Sequence, residues 1–95
     1  MLSGLPRPVL QFPIVLPNGV AAHPDITWPA YRVACEYDGL WHGEPAHIHL
    51  DRQRMNGIIS ADWILLHVTS RRLKEDYNGI LAEVRAALIS RGWKP

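Results

Sequence analysis

Three acidic residues have the types and spacing expected of a small metal site. Asp25 lies in a predicted strand, where aspartate is disfavoured, and ten residues separate it from Glu36, with Asp38 two positions further on. Residues i and i+2 of a strand point to the same side, so Glu36 and Asp38 share one face. Two such carboxylates repel each other unless a cation lies between them, and Mg²⁺ is commonly held by one or two carboxylates with water. The same acids could equally be strand-end residues that face water.

Histidines offer a second kind of chemistry. His42 follows Asp38 by four residues, and an imidazole near a metal and a scissile phosphate can position or protonate an oxygen. The alternative is an exposed or structural loop histidine. His47 and His49 have the spacing of a zinc pair on a strand, but they fall at a predicted helix start, where positions i and i+2 diverge. His67 lies in an apolar strand and is interpreted as a core or sheet-face residue.

Basic and aromatic residues suggest where nucleic acid could bind. The net charge of +1 excludes a strongly basic coat, so any contact with phosphates must come from a local cluster. Arg52 and Arg54 lie beside Asp51 in a predicted helix, and the guanidinium group matches phosphate geometry. An ordinary solvated helix face is the alternative. Of the four tryptophans, Trp41 is the one predicted to stack on bases, because its loop neighbours are polar or glycine.

The elements that position these residues alternate between extended and helical patterns. Four prolines in the first 17 residues disfavour a helix there, and Asn18-Gly19 favours a tight hairpin turn. The predicted elements are strands at about 9–16, 20–28 and 31–37, a helix from about 44, a buried central strand at 63–68, and a helix from Thr69 or Ser70 to Gly92. The order β-β-β-α-β-α predicts an α/β domain with one mixed sheet and helices packed on it.

Size and composition predict a single globular domain covering residues 1–95. Hydrophobic residues make up 47% and charged residues 20%, an ordinary globular balance. No apolar run approaches the ~20 residues of a membrane helix, and the first residues lack the pattern of a signal peptide, so a cytoplasmic protein without membrane contact is expected. Cys35 is the only cysteine and is interpreted as a small buried filler.

Taken together, these segments resemble bacterial nuclease-like proteins related to very-short-patch-repair endonucleases, within the PD-(D/E)XK superfamily. The specific part of the resemblance is the segment 24–42, with Pro24-Asp25, then Tyr31-Arg32-Val33-Ala34-Cys35-Glu36-Tyr37-Asp38-Gly39, then Trp41-His42. Further matches are Gly4-Leu5-Pro6-Arg7-Pro8, Asp51-Arg52-x-Arg54 and the strand 63–69. The resemblance spans nearly the whole chain.

The resemblance implies a restriction-endonuclease-like fold and hydrolysis of a DNA phosphodiester with Mg²⁺ or Mn²⁺. Asp25 would be the first metal-binding aspartate, Glu36 would stand at the second acidic position, and the carbonyl of Tyr37 would be a further ligand. His42 would match one of the histidines that the very-short-patch-repair branch uses. Asp38 stands where many members carry lysine, and it would orient the attacking water if His42 does not assist proton transfer.

Two departures from the family pattern raise an alternative. Relatives usually have a helix with a further glutamate before Gly4-Leu5-Pro6, and this helix is expected to be absent here. Asp62 stands where relatives usually have glycine before Trp63. A missing helix would expose a sheet face or edge, which predicts either association with a second copy or a partner chain over that surface, or low stability. The alternative function is therefore a catalytically impaired domain that binds DNA or a protein; only small size favours a third, regulatory role.

Overall fold

The computed structural model describes residues 4–38 and 45–95, with the backbone alone for Asp38 and for residues 45–52. In these parts the elements are β1 (Val9–Leu10), β2 (Ile14–Val15), β3 (Ala21–Ala22), β4 (Ile26–Trp28), β5 (Val33–Asp38), α1 (Pro45–Ser60), β6 (Ile64–Thr69), α2 (Ser70–Glu75) and α3 (Tyr77–Ser90). The main sheet has the order β1-β4-β5-β6, and β2 and β3 form a separate hairpin. The result is a mixed sheet of four strands flanked by helices. None of the helices in the described ranges is both long and apolar enough to span a bilayer.

The N-terminal part follows the predicted strands but interrupts each of the first two. β1 pairs with β4, whereas β2 pairs with β3, so the predicted strand 9–16 divides at Gln11, which has a φ of 52°. The predicted strand 20–28 divides at Pro24, which has no N–H for strand pairing. The predicted turn is confirmed, because Gly19 has a φ of 84° and the Leu16 N–H donates to the Val20 carbonyl at 2.9 Å.

β5 is the central element of the sheet. It pairs antiparallel with β4 and parallel with all six residues of β6, in a register that sets Glu36 beside His67. In the described part of the chain β6 pairs with β5 alone, so the prediction of a central strand at 63–68 is wrong and β6 is an edge strand. Its apolar sequence reflects the helices on both faces of the sheet, rather than strands on both sides.

Two apolar clusters lie on opposite faces of the sheet. On one face α3 covers Val33 and Cys35 of β5; on the other, Ile58 of α1 covers Ala34. The first cluster comprises Trp28, Val33, Cys35, Val68, Ile80, Val84 and Leu88, and the second Ile14, Leu16, Ala22, Ala34, Ile58 and Trp63. The alternation along β5 therefore puts Glu36, two residues after Ala34, on the α1 side.

The predicted C-terminal helix is two helices with a break at Asp76. Of the two predicted caps, Thr69 or Ser70, the structure selects Thr69, whose side-chain oxygen accepts a hydrogen bond from the Arg72 N–H at 3.1 Å. The Asp76 carboxylate also binds the Arg72 side chain at 3.2 Å, and its φ of −145° is not helical. Gly92, with a φ of 101°, follows the end of α3 as predicted.

Candidate functional site

Asp25 and Glu36 lie at neighbouring positions on adjacent antiparallel strands. Asp25 directly precedes β4, whose first residue Ile26 pairs with Cys35, so one further step in that register places Asp25 beside Glu36. The Asp25 Oδ2 atom accepts a hydrogen bond of 2.8 Å from the Tyr37 N–H. The sheet therefore brings two acids that are eleven positions apart in the sequence to neighbouring positions on adjacent strands.

Glu36 is almost completely enclosed, with only 11% of its side chain exposed. Its Oε1 atom forms an ion pair with Nη1 of Arg54, which reaches it from α1. Its Oε2 atom lies 3.8 Å from Nε2 of His67 on β6. A buried carboxylate is strongly disfavoured without a cation or hydrogen-bond donors, so Arg54 offsets much of the cost of enclosing Glu36.

The remaining predicted site residues lie partly outside the described region. Trp41 and His42 fall in the segment 39–44, and the side chains of Asp38 and Arg52 are not described either. Their proposed roles stay predictions. Among the residues whose side chains are described, no three His, Cys, Asp or Glu groups lie close enough together to hold a metal ion.

The donor set nevertheless has the chemistry that Mg²⁺ requires. Carboxylate and carbonyl oxygens are its preferred ligands, and it is usually bound by one or two carboxylates, with water and substrate phosphate completing the shell. Asp25 is exposed, and one hydrogen bond from Tyr37 leaves most of its lone pairs free. Glu36 would have to share its carboxylate between the ion and Arg54, and the nearby guanidinium charge disfavours a second cation there.

Sequence reasoning missed the association of Arg54 and His67 with Glu36. The sequence predicts Arg54 as a solvated or phosphate-contacting helix residue, whereas only 30% of its side chain is exposed and it is bound to Glu36. His67 does lie on a sheet face, as predicted, but beside a carboxylate. The register between β5 and β6 creates this contact, and neither strand carries a local signal for it.

An apolar cleft of about 370 Å³ lies on the α3 side of the sheet. Three exposed apolar residues, Tyr37, Leu73 and Tyr77, lie along it, and Asp25 contributes to its lining. Cys35 also lines it, and burial, followed by the negative charge of Glu83, raises the pKa of its thiol to about 12. The thiol is therefore neutral and a poor nucleophile near pH 7, so Cys35 is a core residue as predicted.

Comparisons with known proteins show relatives without a stated activity. No family model matches the chain, and no solved structure matches it significantly. The uncharacterized proteins MT2308 and Rv2248, from two strains of Mycobacterium tuberculosis, are each 29% identical to the chain over 82 residues, which is 85% of this chain. The chain spans about 30% of the length of these curated relatives. It is similar to one part of two larger mycobacterial proteins.

Proposed function

We propose that this chain is the core of a Mg²⁺- or Mn²⁺-dependent DNA endonuclease with a restriction-endonuclease-like fold. The observation that carries the proposal is the position of Asp25, whose carboxylate is bound to the Tyr37 N–H directly beside Glu36. Two carboxylates and a backbone carbonyl on neighbouring strands are suitable ligands for a hard divalent cation. The mixed sheet with helices on both faces is compatible with that fold.

Each residue then has a defined task. Asp25, Glu36 and the carbonyl of Tyr37 would hold the ion, which lowers the pKa of a water and offsets charge on the phosphate. The hydrogen bond from Tyr37 orients Asp25 before any ligand arrives, and the ion pair with Arg54 fixes Glu36. His42 would assist proton transfer, or Asp38 would orient the attacking water. Arg52 and Trp41 would contact DNA, as would Arg54 if it leaves Glu36.

Plasmid cleavage tests the proposal. The wild type should cut supercoiled DNA with Mg²⁺ or Mn²⁺, whereas Asp25→Asn and Glu36→Gln should abolish cutting because each removes a charged ligand. Glu75→Gln is the matched control, since Glu75 is an exposed acid whose partner is Arg71 on α2. Circular dichroism would show that each variant is folded. Cleavage that survives in both Asp25→Asn and Glu36→Gln would reject the assignment.

One observation favours a second candidate, a domain that binds without cutting. The Arg54 guanidinium already neutralises Glu36, so the buried acid does not require a metal ion for stability. DNA would then bind without hydrolysis, or a second copy or partner chain would cover the apolar cleft. Fluorescence anisotropy with labelled DNA, together with sedimentation of the free protein, would distinguish these cases. Binding or self-association in the absence of any metal-dependent cleavage would support the second candidate.

A further inference from the structure

The two edges of the main sheet differ in how well they are protected against pairing with another chain. β1 has only two residues, follows Pro8 and is succeeded by Gln11 at a φ of 52°. Short strands, prolines and backbone irregularities are means by which proteins protect such edges. β6 (Ile64–Thr69) is six residues long and contains no proline, lysine, arginine or acidic residue. It therefore lacks the features that protect the β1 edge.

The outer side of β6 presents backbone groups for pairing. The Ile64 N–H donates to the Arg32 carbonyl at 2.9 Å, so the backbone groups of Ile64 face β5. Because successive residues of a strand direct these groups to alternate sides, those of Leu65 and His67 face away from β5. Among residues 4–38 and 45–95, no backbone hydrogen bond to another element uses them. Both residues are half-buried and retain exposed surface, as an accessible edge requires.

We propose that β6 pairs antiparallel with β6 of a second copy of this chain, which joins the two sheets into one. A twofold axis perpendicular to the sheet keeps each sheet face on the same side in both copies, so opposite residues must belong to the same face. Centring the axis on Leu66 meets this condition. Leu66 then lies opposite its own copy and Ile64 opposite Val68 of the partner subunit, all on the α3 face. Leu65 lies opposite His67 of the partner subunit on the α1 face, where the two residues exchange both backbone hydrogen bonds.

Opposite charges at the two ends of β6 favour a second copy as the partner. Asp62 precedes the strand and Arg71 follows it, and their side chains are 73% and 85% exposed. Both form only exposed ion pairs within the chain, which hold them weakly. The antiparallel register places Asp62 opposite Ser70 and beside Arg71 of the partner subunit, and symmetry repeats the contact at the other end. Parallel pairing would instead set like charges beside each other, so the charges select the antiparallel arrangement.

The size of this interface predicts a weak dimer. Pairing of two six-residue strands buries less than the roughly 1,600 Å² of a standard interface. We therefore expect a dissociation constant in the micromolar range, with dimers formed at high protein concentration. The interface uses a sheet edge and not the apolar cleft beside α3, and it does not depend on the proposed nuclease activity.

Sedimentation of the wild type, Arg71→Glu and the control Arg7→Glu over a range of concentrations tests the proposal. Arg7 is exposed before β1, at the opposite edge of the sheet, so the control makes the same charge change away from β6. Arg71→Glu should weaken the dimer by about tenfold, because two symmetric contacts with Asp62 change from attraction to repulsion. Arg7→Glu should dimerise like the wild type. A wild type that stays monomeric up to about 1 mM, or equal weakening by both variants, would overturn the proposal.

Amide hydrogen exchange, followed by NMR in the wild type, locates the interface without any variant. The N–H groups of Leu65 and His67 should exchange rapidly in dilute protein and become protected as the concentration rises, because pairing with the second copy bonds them. The Ile64 N–H, which is bonded to Arg32 within the chain, is the internal control and should be protected at every concentration. Dimers in which the Leu65 and His67 amides still exchange rapidly would have another interface and would overturn the proposal.

Discussion

The ion pair between Arg54 and Glu36 should be one of the strongest single interactions in the chain, and a double-mutant cycle can measure it. The cycle consists of Arg54→Met, Glu36→Gln and the double variant. Arg54→Met keeps the length and apolar stem of the side chain but leaves the Glu36 carboxylate buried without a cation. Breaking a fully buried pair costs about 3–5 kcal/mol. The pair here is 30% and 11% exposed, so solvent reaches the guanidinium and we expect about 2–3 kcal/mol instead.

The double variant should lose much less stability than Arg54→Met, because it removes the unpaired charge. We therefore expect a coupling energy of about 2 kcal/mol between the two positions. The control cycle uses Arg71 and Glu75, a pair on α2 that is 85% and 64% exposed and should couple by at most about 0.5 kcal/mol.

Urea unfolding followed by tryptophan fluorescence provides the free energies. Trp28 and Trp63 are both buried, so their emission should change on unfolding. Unchanged m-values across the variants would show that only stability differs. An Arg54–Glu36 coupling energy no larger than that of the surface pair would show that enclosure of Glu36 does not strengthen this ion pair.

Three further predictions follow from single residues. Asp62→Gly should raise the free energy of unfolding by about 0.5–1 kcal/mol, because Asp62 has a φ of 68° and its ion pairs are exposed; a lower melting temperature would contradict this. The thiol of Cys35, whose pKa burial raises to about 12, should react with a thiol reagent at pH 8 only after unfolding, and rapid reaction in the native state would contradict its burial. The hydrogen bond from Arg72 lowers the pKa of Glu83, so stability from this pair is present above the ordinary value of 4.5 and should be lost as pH falls through the lower folded value. Acid titration of Glu83→Gln should lack that component, and an identical acid transition in the variant would show that the pair contributes nothing.

Local patterns correctly predicted several features of the fold. The Asn18-Gly19 turn, the cap at Thr69 and the start of α1 at Pro45 depend on the backbone preferences of a few consecutive residues. The strand predicted at 31–37 is β5 (Val33–Asp38), which begins two residues later than predicted, and the predicted apolar face of α3 is present; both depend on patterns that the sequence displays directly. The first two predicted strands are interrupted at Gln11, which has a positive φ, and at Pro24, which has no N–H. Both causes are local, although neither interruption was predicted.

The proposed site likewise contains residues that local sequence identified and residues that only the fold brought together. The sequence made Asp25 and Glu36 candidates, because acids within strands are unusual and their spacing resembles a nuclease motif. The roles proposed for Asp38, Trp41, His42 and Arg52 stay predictions, since these side chains lie outside the described residues. The positions of Arg54 and His67 beside Glu36 became visible only in the folded chain.

The sequence by itself determined which stretches are extended and which are helical, although not where they are interrupted, and it identified the acids that are candidate cation ligands. Only the tertiary structure decided that β6 is a parallel edge strand, and that Glu36 lies between a guanidinium from α1 and an imidazole from β6. The physical reason is that turns and caps involve residues a few positions apart, whereas strand register and helix docking join residues 18 and 31 positions away from Glu36. Those contacts form where packing of both sheet faces is most favourable, and no short segment encodes that choice.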